Sequence, residues 1–146
     1  MACNNNCSYC AIGDTEKLPY KIDYHILKIR TNKLIEFIDS IKDELEDNCQ
    51  FFFLGGEPLI TWNSWLIPTI KKLQNINPNF TYRLSTNGTL LTPDKYEDIK
   101  NYKIDINLSL DGPKFVHNLN RKLWSGGGSF DLAYDNFLKV PLELSN

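Results

Sequence analysis

The stretch QFFFLGGEP at residues 50–58 decides which class of fold this chain adopts. It begins as a short, continuous apolar run, which is how a strand covered on both faces reads. The two glycines that follow let the backbone approach a ligand closely, and Pro58 biases Glu57 towards an extended conformation. We therefore predict a buried strand that ends in a carboxylate suited to pairing with an ammonium group.

Helical and strand-like segments alternate around this stretch. Apolar residues at helical spacing predict a helix over residues 34–45 with Thr31 as its cap, after an irregular segment over residues 11–30. The further predicted elements are a helix over 65–73, strands over 81–86 and 104–110, a short helix from Pro93 to about Lys100, and a last helix capped by Ser129. Strands that alternate with helices imply an α/β fold with a parallel sheet, either a barrel or an open doubly wound sheet.

Each predicted strand ends beside a glycine and a polar or acidic residue. Gly55-Gly56-Glu57-Pro58 follows the first strand, Asn87-Gly88 the second and Asp111-Gly112-Pro113 the third. Asn-Gly and Asp-Gly are also common turn dipeptides, so each of these pairs taken singly could be only a turn. Because both candidate folds collect their chemistry at the carboxyl ends of the strands, these loops are the candidate site.

The composition is that of an ordinary globular domain. The 146 residues suffice for one domain with its own core, and the net charge of -2 comes without a basic stripe that would suggest nucleic acid. No apolar run approaches the roughly 18 residues of a membrane span, and no signal-peptide core follows Met1. We expect a cytoplasmic protein that binds neither nucleic acid nor membrane, where clustered cysteines more often form a metal or redox site than disulfides.

Three cysteines, Cys3, Cys7 and Cys10, follow the spacing C-x3-C-x2-C. A thioredoxin-like pair would leave one of them without a role. A zinc site needs a fourth ligand, which Cys49 or His25 could supply. A four-iron cluster held by three thiolates would leave one iron open to a further ligand. From the residues alone, two hypotheses remain. The cysteines belong either to an iron–sulfur site or to a non-catalytic zinc-binding or interaction module.

Taken in order along the chain, these motifs resemble the radical S-adenosylmethionine enzymes. The cysteine motif with Tyr9 before its last cysteine, the Gly-Gly-Glu-Pro strand end, and the stretches STNGTLLT, INLSLDGPKFVHNLNR and GGGSFD are similar to anaerobic sulfatase-maturating enzymes and to peptide maturases with a C-terminal SPASM domain. The resemblance implies a partial (β/α)6 barrel, an incomplete core domain over residues 1–146 in which the first strand and the last strands are absent. The chain departs from the family pattern at Asn5, which is usually apolar, and at Asn118, which is usually aspartate.

The resemblance also implies cofactors, a reaction and partners. Cys3, Cys7 and Cys10 would hold a [4Fe-4S] cluster, and one electron passed to S-adenosylmethionine at the open iron would release a 5′-deoxyadenosyl radical. The residues assigned to S-adenosylmethionine are Gly55, Gly56 and Glu57 at its amino group, Tyr9 near the adenine, Ser85, Thr86 and Asn87 at the ribose, Ser109 and Asp111 at the next strand end, and Arg121 at the carboxylate. The expected partners are a peptide or protein substrate and an electron donor such as flavodoxin or ferredoxin.

Several conspicuous residues carry only structural expectations. His25 and His117 are expected at the surface or at helix ends, and Trp62, Trp65 and Trp124 are expected to pack in the interior. The run of glycines at residues 126–128 lacks the lysine and the preceding strand of a phosphate-binding loop, so it is predicted to be a flexible approach to the last helix.

Overall fold

The computed structural model describes residues 2–10 and 22–141. The strands of these ranges are β1 (Asn5–Cys7), β2 (Gln50–Phe53), β3 (Thr81–Thr86), β4 (Ile104–Leu108) and β5 (Arg121–Leu123). The α-helices are α1 (Tyr24–Ser40), α2 (Ile67–Ile76), α3 (Tyr96–Asn101), α4 (Lys114–Asn120) and α5 (Phe130–Leu138). Short 3₁₀ turns lie at Lys42–Glu44, Pro58–Thr61 and Pro93–Lys95, and a π-turn over Trp62–Leu66 leads into α2. No helix within the described ranges is long and apolar enough to cross a membrane.

The central sheet is parallel, as the alternating pattern predicts. Its strand order is β2-β3-β4, and its register places Phe53 opposite Leu84 and Thr86 opposite Leu108. The carboxyl ends of the three strands therefore lie along one edge of the sheet. The predicted α/β fold with parallel strands is confirmed, and so is the last helix, which begins after Ser129.

The prediction that the first strand is covered on both faces is wrong. Among the described strands β2 lies at the end of the sheet order, and its side chains alternate between half-buried and exposed, with Phe52 48% exposed. On the inner face, Phe51 and Phe53 pack against the ring of Tyr82 on β3. An apolar run shows that the side chains of a strand are hydrophobic. Whether each of them is buried depends on the elements that pack on each face of the strand.

The core lies between the inner face of the sheet and α2. Tyr82 and Leu84 of β3 are fully buried there together with Ile70 and Leu73 of α2. Burying one large apolar side chain stabilises the fold by roughly 1.5–3 kcal/mol, so the buried side chains of β3 hold this strand in the centre of the sheet. The polar residues at its carboxyl end are positioned by the same packing.

Helix α1 begins well before the predicted start. Asp23 is its cap, accepting a hydrogen bond from the backbone N–H of Ile26 at 3.0 Å. Thr31, the predicted cap, lies inside the helix and donates its hydroxyl to the carbonyl of Leu27 at 2.8 Å. Apolar residues at helical spacing, Tyr24 with Leu27 and Ile26 with Ile29, extend into these first turns, so the predicted start was placed too late. The rest of the predicted irregular segment, residues 11–21, lies outside the described residues.

Gly88 turns the chain after β3, and its replacement is expected to be costly. Its φ is 75°, and a Cβ atom there would lie 2.4 Å from Cδ1 of Leu108. We expect Gly88→Ala to lower the free energy of unfolding, measured by urea denaturation, by about 1–3 kcal/mol. Gly127→Ala is the matched control, because a Cβ at Gly127 would have no heavy atom within 4 Å. Equal losses in the two variants would contradict this reading of the turn.

Candidate functional site

The cysteine loop, residues 3–10, is hydrogen-bonded directly to the carboxyl end of β3. Nδ2 of Asn87 donates to Oδ1 of Asn4 at 2.9 Å and lies 4.0 Å from Sγ of Cys3. Asn4 in turn donates its amide to Oγ1 of Thr89 at 2.7 Å. Asn4 and Thr89 were not among the predicted site residues, because nothing in the sequence shows that the loop and this strand end meet.

Burial raises the pKa of two of the three thiols in the cysteine loop. Burial raises the pKa of Cys3, and the charges of Glu57 and Cys10 raise it further. Burial also raises the pKa of Cys7, while the positive charge of Arg121 opposes the rise. A metal centre deprotonates the thiols that coordinate it, and its positive charge compensates thiolates that are costly alone. The donor set of this loop is therefore suited to an iron–sulfur cluster.

The additional zinc ligands considered from the sequence lie elsewhere. Cys49 precedes β2, at the end of that strand opposite the Gly55–Pro58 loop, and His25 lies in the first turn of α1. Across residues 2–10 and 22–141, no three His, Cys, Asp or Glu side chains form a group that could hold a single metal ion. A four-iron cluster is larger than one ion, so its ligands stand further apart.

Glu57 is buried, and its carboxylate is already hydrogen-bonded. Oε1 accepts from the hydroxyl of Thr86 at 2.7 Å and from the N–H of Leu59 at 3.0 Å, and Oε2 accepts from the N–H of Asn87 at 2.8 Å. Burial raises the pKa of Glu57, and these three hydrogen bonds oppose the rise. The carboxylate expected at the mouth of the sheet thus ties its own loop to the end of β3.

The Gly-Gly pair makes room for the segment that precedes Cys3. The N–H of Glu57 donates to the carbonyl of Ala2 at 2.8 Å. A Cβ atom on Gly56 would lie 2.1 Å from that carbonyl oxygen, and Gly55 adopts a φ of 131°. The close approach at Gly56 is to the backbone of Ala2 in this chain, while approach of a ligand to the glycine pair stays a prediction. The Glu57 loop and the cysteine loop are thereby joined.

Tyr9, Asp111 and Arg121 form a second cluster at the same edge. The carboxylate of Asp111 accepts from the hydroxyl of Tyr9 at 2.5 Å and from Nε of Arg121 at 2.8 Å. The guanidinium lies 5.4 Å from the centre of the Tyr9 ring. Burial acts to raise the pKa of Asp111, but the hydrogen bonds from Tyr9 and Arg121 outweigh it and the pKa is lowered. Burial and the bond to Asp111 raise the pKa of Tyr9 to about 12, so at neutral pH its hydroxyl keeps its proton.

Ser85 and Ser109 are less closely tied to these clusters. Ser85 lies on β3 opposite Asn107 of β4. The backbone N–H of Ser109 donates to the carbonyl of Thr86 at 2.9 Å. Within the described ranges neither serine side chain makes a hydrogen bond, and the predicted role of both hydroxyls stays a prediction.

His117 is buried behind the Asp111–Arg121 pair in the last turn of α4, so the expected helix-end position is confirmed and the surface position is wrong. Its Nδ1 accepts from the N–H of Asp111 at 3.4 Å, and its Nε2 lies 2.9 Å from Oγ of Ser129. Ser129 gives its only proton to the carbonyl of Arg121 at 2.6 Å. Nε2 must therefore donate to Ser129, which makes His117 the neutral Nε2–H tautomer. The network holds both partners of the ion pair by their backbones.

Acidification is expected to destabilise this network. Burial lowers the pKa of His117 from its ordinary 6.5, and the positive charge of Arg121 lowers it further. The folded chain holds the ring neutral. The stabilisation by neutral His117 is therefore present above pH 6.5 and is lost as the pH falls below that value. Urea denaturation between about pH 5 and pH 8 measures the loss. His117→Gln removes the titration, so a variant with the acid sensitivity of the parent protein would contradict the assignment.

Trp124 and residues 114–123 show what sequence analysis missed around the site. Helix α4 and strand β5 occupy a segment for which no element was predicted. The indole N–H of Trp124 donates to the carbonyl of Cys3 at 3.1 Å, so this side chain contacts the cysteine loop, whereas Trp62 and Trp65 pack in or against the core as predicted. Asn118, the departure from the family pattern, accepts from the N–H of Phe130 at 3.0 Å at the start of α5.

Comparison with known proteins connects this site to one family. The sequence profile of the Radical SAM superfamily matches residues 1–140. A cysteine-type anaerobic sulfatase-maturating enzyme of Clostridium perfringens is 29% identical over an alignment of 156 positions, which covers 98% of this chain and 40% of that enzyme. The structure of native anSMEcpe with bound AdoMet matches with a TM-score of 0.72 at 27% identity, covering 99% of this chain and 39% of that one. The structure of native anSMEcpe with bound AdoMet and Cp18Cys peptide matches with a TM-score of 0.71 at 26% identity. This match covers 94% of this chain and 36% of that one.

The chain thus spans about 40% of the length of the sulfatase-maturating enzyme that it matches. The matched part includes the cysteine loop and all three carboxyl strand ends described above. The chain belongs to the radical SAM superfamily, an enzyme family whose cofactors are a [4Fe-4S] cluster and S-adenosylmethionine.

Proposed function

We propose that residues 1–146 belong to the radical S-adenosylmethionine core domain of an enzyme that modifies a peptide or protein side chain. The observation that carries the proposal is the convergence of the cysteine loop, the Glu57 loop and the Asp111–Arg121 pair at one edge of a parallel sheet. In this proposal the three parallel strands are part of a partial (β/α)6 barrel. Its open edge carries the chemistry, as in other parallel folds.

In this proposal Cys3, Cys7 and Cys10 hold the [4Fe-4S] cluster. Two observations support the assignment, namely the place of all three cysteines in one loop that is hydrogen-bonded to the end of β3 and the partial burial of Cys3 and Cys7. When bound, the cluster and S-adenosylmethionine together supply reductive cleavage of the sulfonium. The chain's contribution is to hold the three thiols in one supported loop.

The strand-end residues bind and orient S-adenosylmethionine. The backbone of Gly55, Gly56 and Glu57 faces the amino group, and the buried Glu57 carboxylate holds that loop against β3. Nε of Arg121 donates to Asp111. The Nη groups of Arg121 supply the donors for the carboxylate of the cofactor. The remaining assignments are Tyr9 near the adenine, Ser85, Thr86 and Asn87 at the ribose, and Ser109 and Asp111 at the neighbouring strand end.

A peptide or protein side chain is the proposed substrate. The anSMEcpe structure with bound Cp18Cys peptide supports this class, because a protein of the same family accommodates a peptide beside AdoMet. The matched enzyme of Clostridium perfringens, which by its name matures sulfatases, points the same way. The reaction needs one electron from a donor such as flavodoxin or ferredoxin, and we propose a cytoplasmic setting without nucleic acid or membrane partners.

Anaerobic reconstitution with iron and sulfide tests the proposed function. We expect a brown protein with broad visible absorbance that releases 5′-deoxyadenosine when S-adenosylmethionine and a strong reductant are added. Liquid chromatography with mass spectrometry measures this product, and omission of the reductant is the control. A colourless protein that retains one zinc per chain would overturn the proposal and favour the zinc-binding module.

A further inference from the structure

The backbone of the cysteine loop is held along most of its length by one distant segment, residues 120–124. β1 pairs antiparallel with β5, with Asn5 opposite Leu123 and Cys7 opposite Arg121. Beyond this ladder, the N–H of Ser8 donates to the carbonyl of Asn120 at 2.9 Å. The segment thus contacts the loop on both sides of Cys7, more than a hundred residues away in the sequence.

Trp124 extends this contact to the first cysteine. Its backbone N–H donates to the carbonyl of Asn4 at 3.2 Å, and its indole Nε1–H donates to the carbonyl of Cys3 at 3.1 Å. Trp124 is therefore the residue of this segment that binds the loop through both its main chain and its side chain. Beyond the ladder, these are the bonds that hold the Cys3 end of the loop to β5.

Trp124 also lines an open space beside the loop. A cavity of about 520 Å³ is bordered by Cys3 and Asn4 and by Leu123, Trp124 and Ser125. Loss of the half-buried indole would leave the carbonyl of Cys3 without this donor and would enlarge this space beside Cys3.

We propose that Trp124 is a positioning residue for the cysteine loop, whose two N–H groups set the place of Cys3 relative to Cys7 and Cys10. The inference rests on the proposed function, because the spacing of the thiols matters only if they share a cluster. The expected consequence has two parts. Without the indole donor the loop opens more often and releases iron faster, and the changed solvent exposure of the thiol ligands alters the reduction potential of the cluster.

Trp124→Phe tests the proposal, because it keeps an aromatic ring and removes the indole N–H. Trp65→Phe is the matched control, since Trp65 is also partly buried and donates its Nε1–H to Oγ1 of Thr31 at 2.6 Å, on α1. In the reconstituted protein we expect Trp124→Phe to lose iron to a ferrous chelator about five- to tenfold faster than the parent, as loss of one hydrogen bond implies. We also expect a midpoint potential that differs from that of the parent, whereas Trp65→Phe should leave the potential unchanged.

The outcomes of this comparison distinguish failure of the positioning role from failure of the proposed function. If Trp124→Phe matches Trp65→Phe in both iron loss and potential while the parent holds a cluster, the positioning role is overturned and the proposed function stands. If the parent assembles no cluster, the proposed function itself fails. Hydrogen exchange of the indole N–H in the unmodified protein tests the contact without any variant. Exchange as slow as that of buried indoles supports it, and exchange as fast as that of free indole overturns it.

Discussion

Cys3→Ala is expected to abolish assembly of the iron–sulfur cluster. A four-iron cluster held by three thiolates has no spare protein ligand, so removal of one leaves a second iron without a protein bond. Iron content after anaerobic reconstitution should fall from about four per chain to background, and the visible absorbance should disappear with it. Because the chain is long enough to bury its own core, the variant should remain folded in the absence of iron.

Cys49→Ala is the matched control for this loss. Cys49 is a half-buried thiol that packs against the core beside β2, and it takes no part in the cysteine loop. We expect its removal to leave the iron content and the spectrum unchanged. A Cys3→Ala protein that still bound the full complement of iron would show that the ligands have been misassigned. Loss of iron in Cys49→Ala would instead place Cys49 among the ligands.

Glu57→Ala is expected to cause the largest loss of stability among single changes at the site. The substitution leaves three buried donors, the N–H of Leu59, the hydroxyl of Thr86 and the N–H of Asn87, without their acceptor. Buried donors without a partner are costly, so the free energy of unfolding should fall by about 2–5 kcal/mol. Urea denaturation at neutral pH measures this change.

The same variant should also lose affinity for S-adenosylmethionine, because Glu57 holds the Gly-Gly loop against the end of β3. Glu97→Ala is the control, since Glu97 is an exposed carboxylate on α3 and its removal should leave stability nearly unchanged. Equilibrium dialysis with the reconstituted protein measures the affinity. A Glu57→Ala protein as stable as Glu97→Ala would contradict the hydrogen-bonding role assigned to this carboxylate.

Much of the architecture could be predicted because it depends on local patterns. The alternation of Ile104, Ile106 and Leu108 with polar residues predicted β4, and the run at residues 81–86 predicted β3 with its observed bounds. The position of the loops at one sheet edge followed from the parallel order of the strands. The start of α1 was placed too late, although Tyr24, Ile26, Leu27 and Ile29 extend the apolar pattern to its first turns.

The contacts within the site could not be predicted, because they join residues far apart in the chain. Glu57 and Asp111 were each expected to face the cofactor. In the structure both carboxylates accept hydrogen bonds from groups of the protein. The burial of His117 was equally hidden, since a histidine in a polar stretch gives no sign of the packing around it. In each case the partner is chosen by the tertiary arrangement and leaves no local pattern.

The sequence by itself determined the parallel α/β class, the cysteine spacing and the family, because hydrophobic periodicity and short motifs act over a few residues. Only the tertiary structure decided how the cysteine loop is supported. β5 and Trp124 bind its backbone, while Asn87 and Glu57 join it to the end of β3. Backbone hydrogen bonds of this kind depend on main-chain atoms that every residue shares, so no residue type announces them in advance.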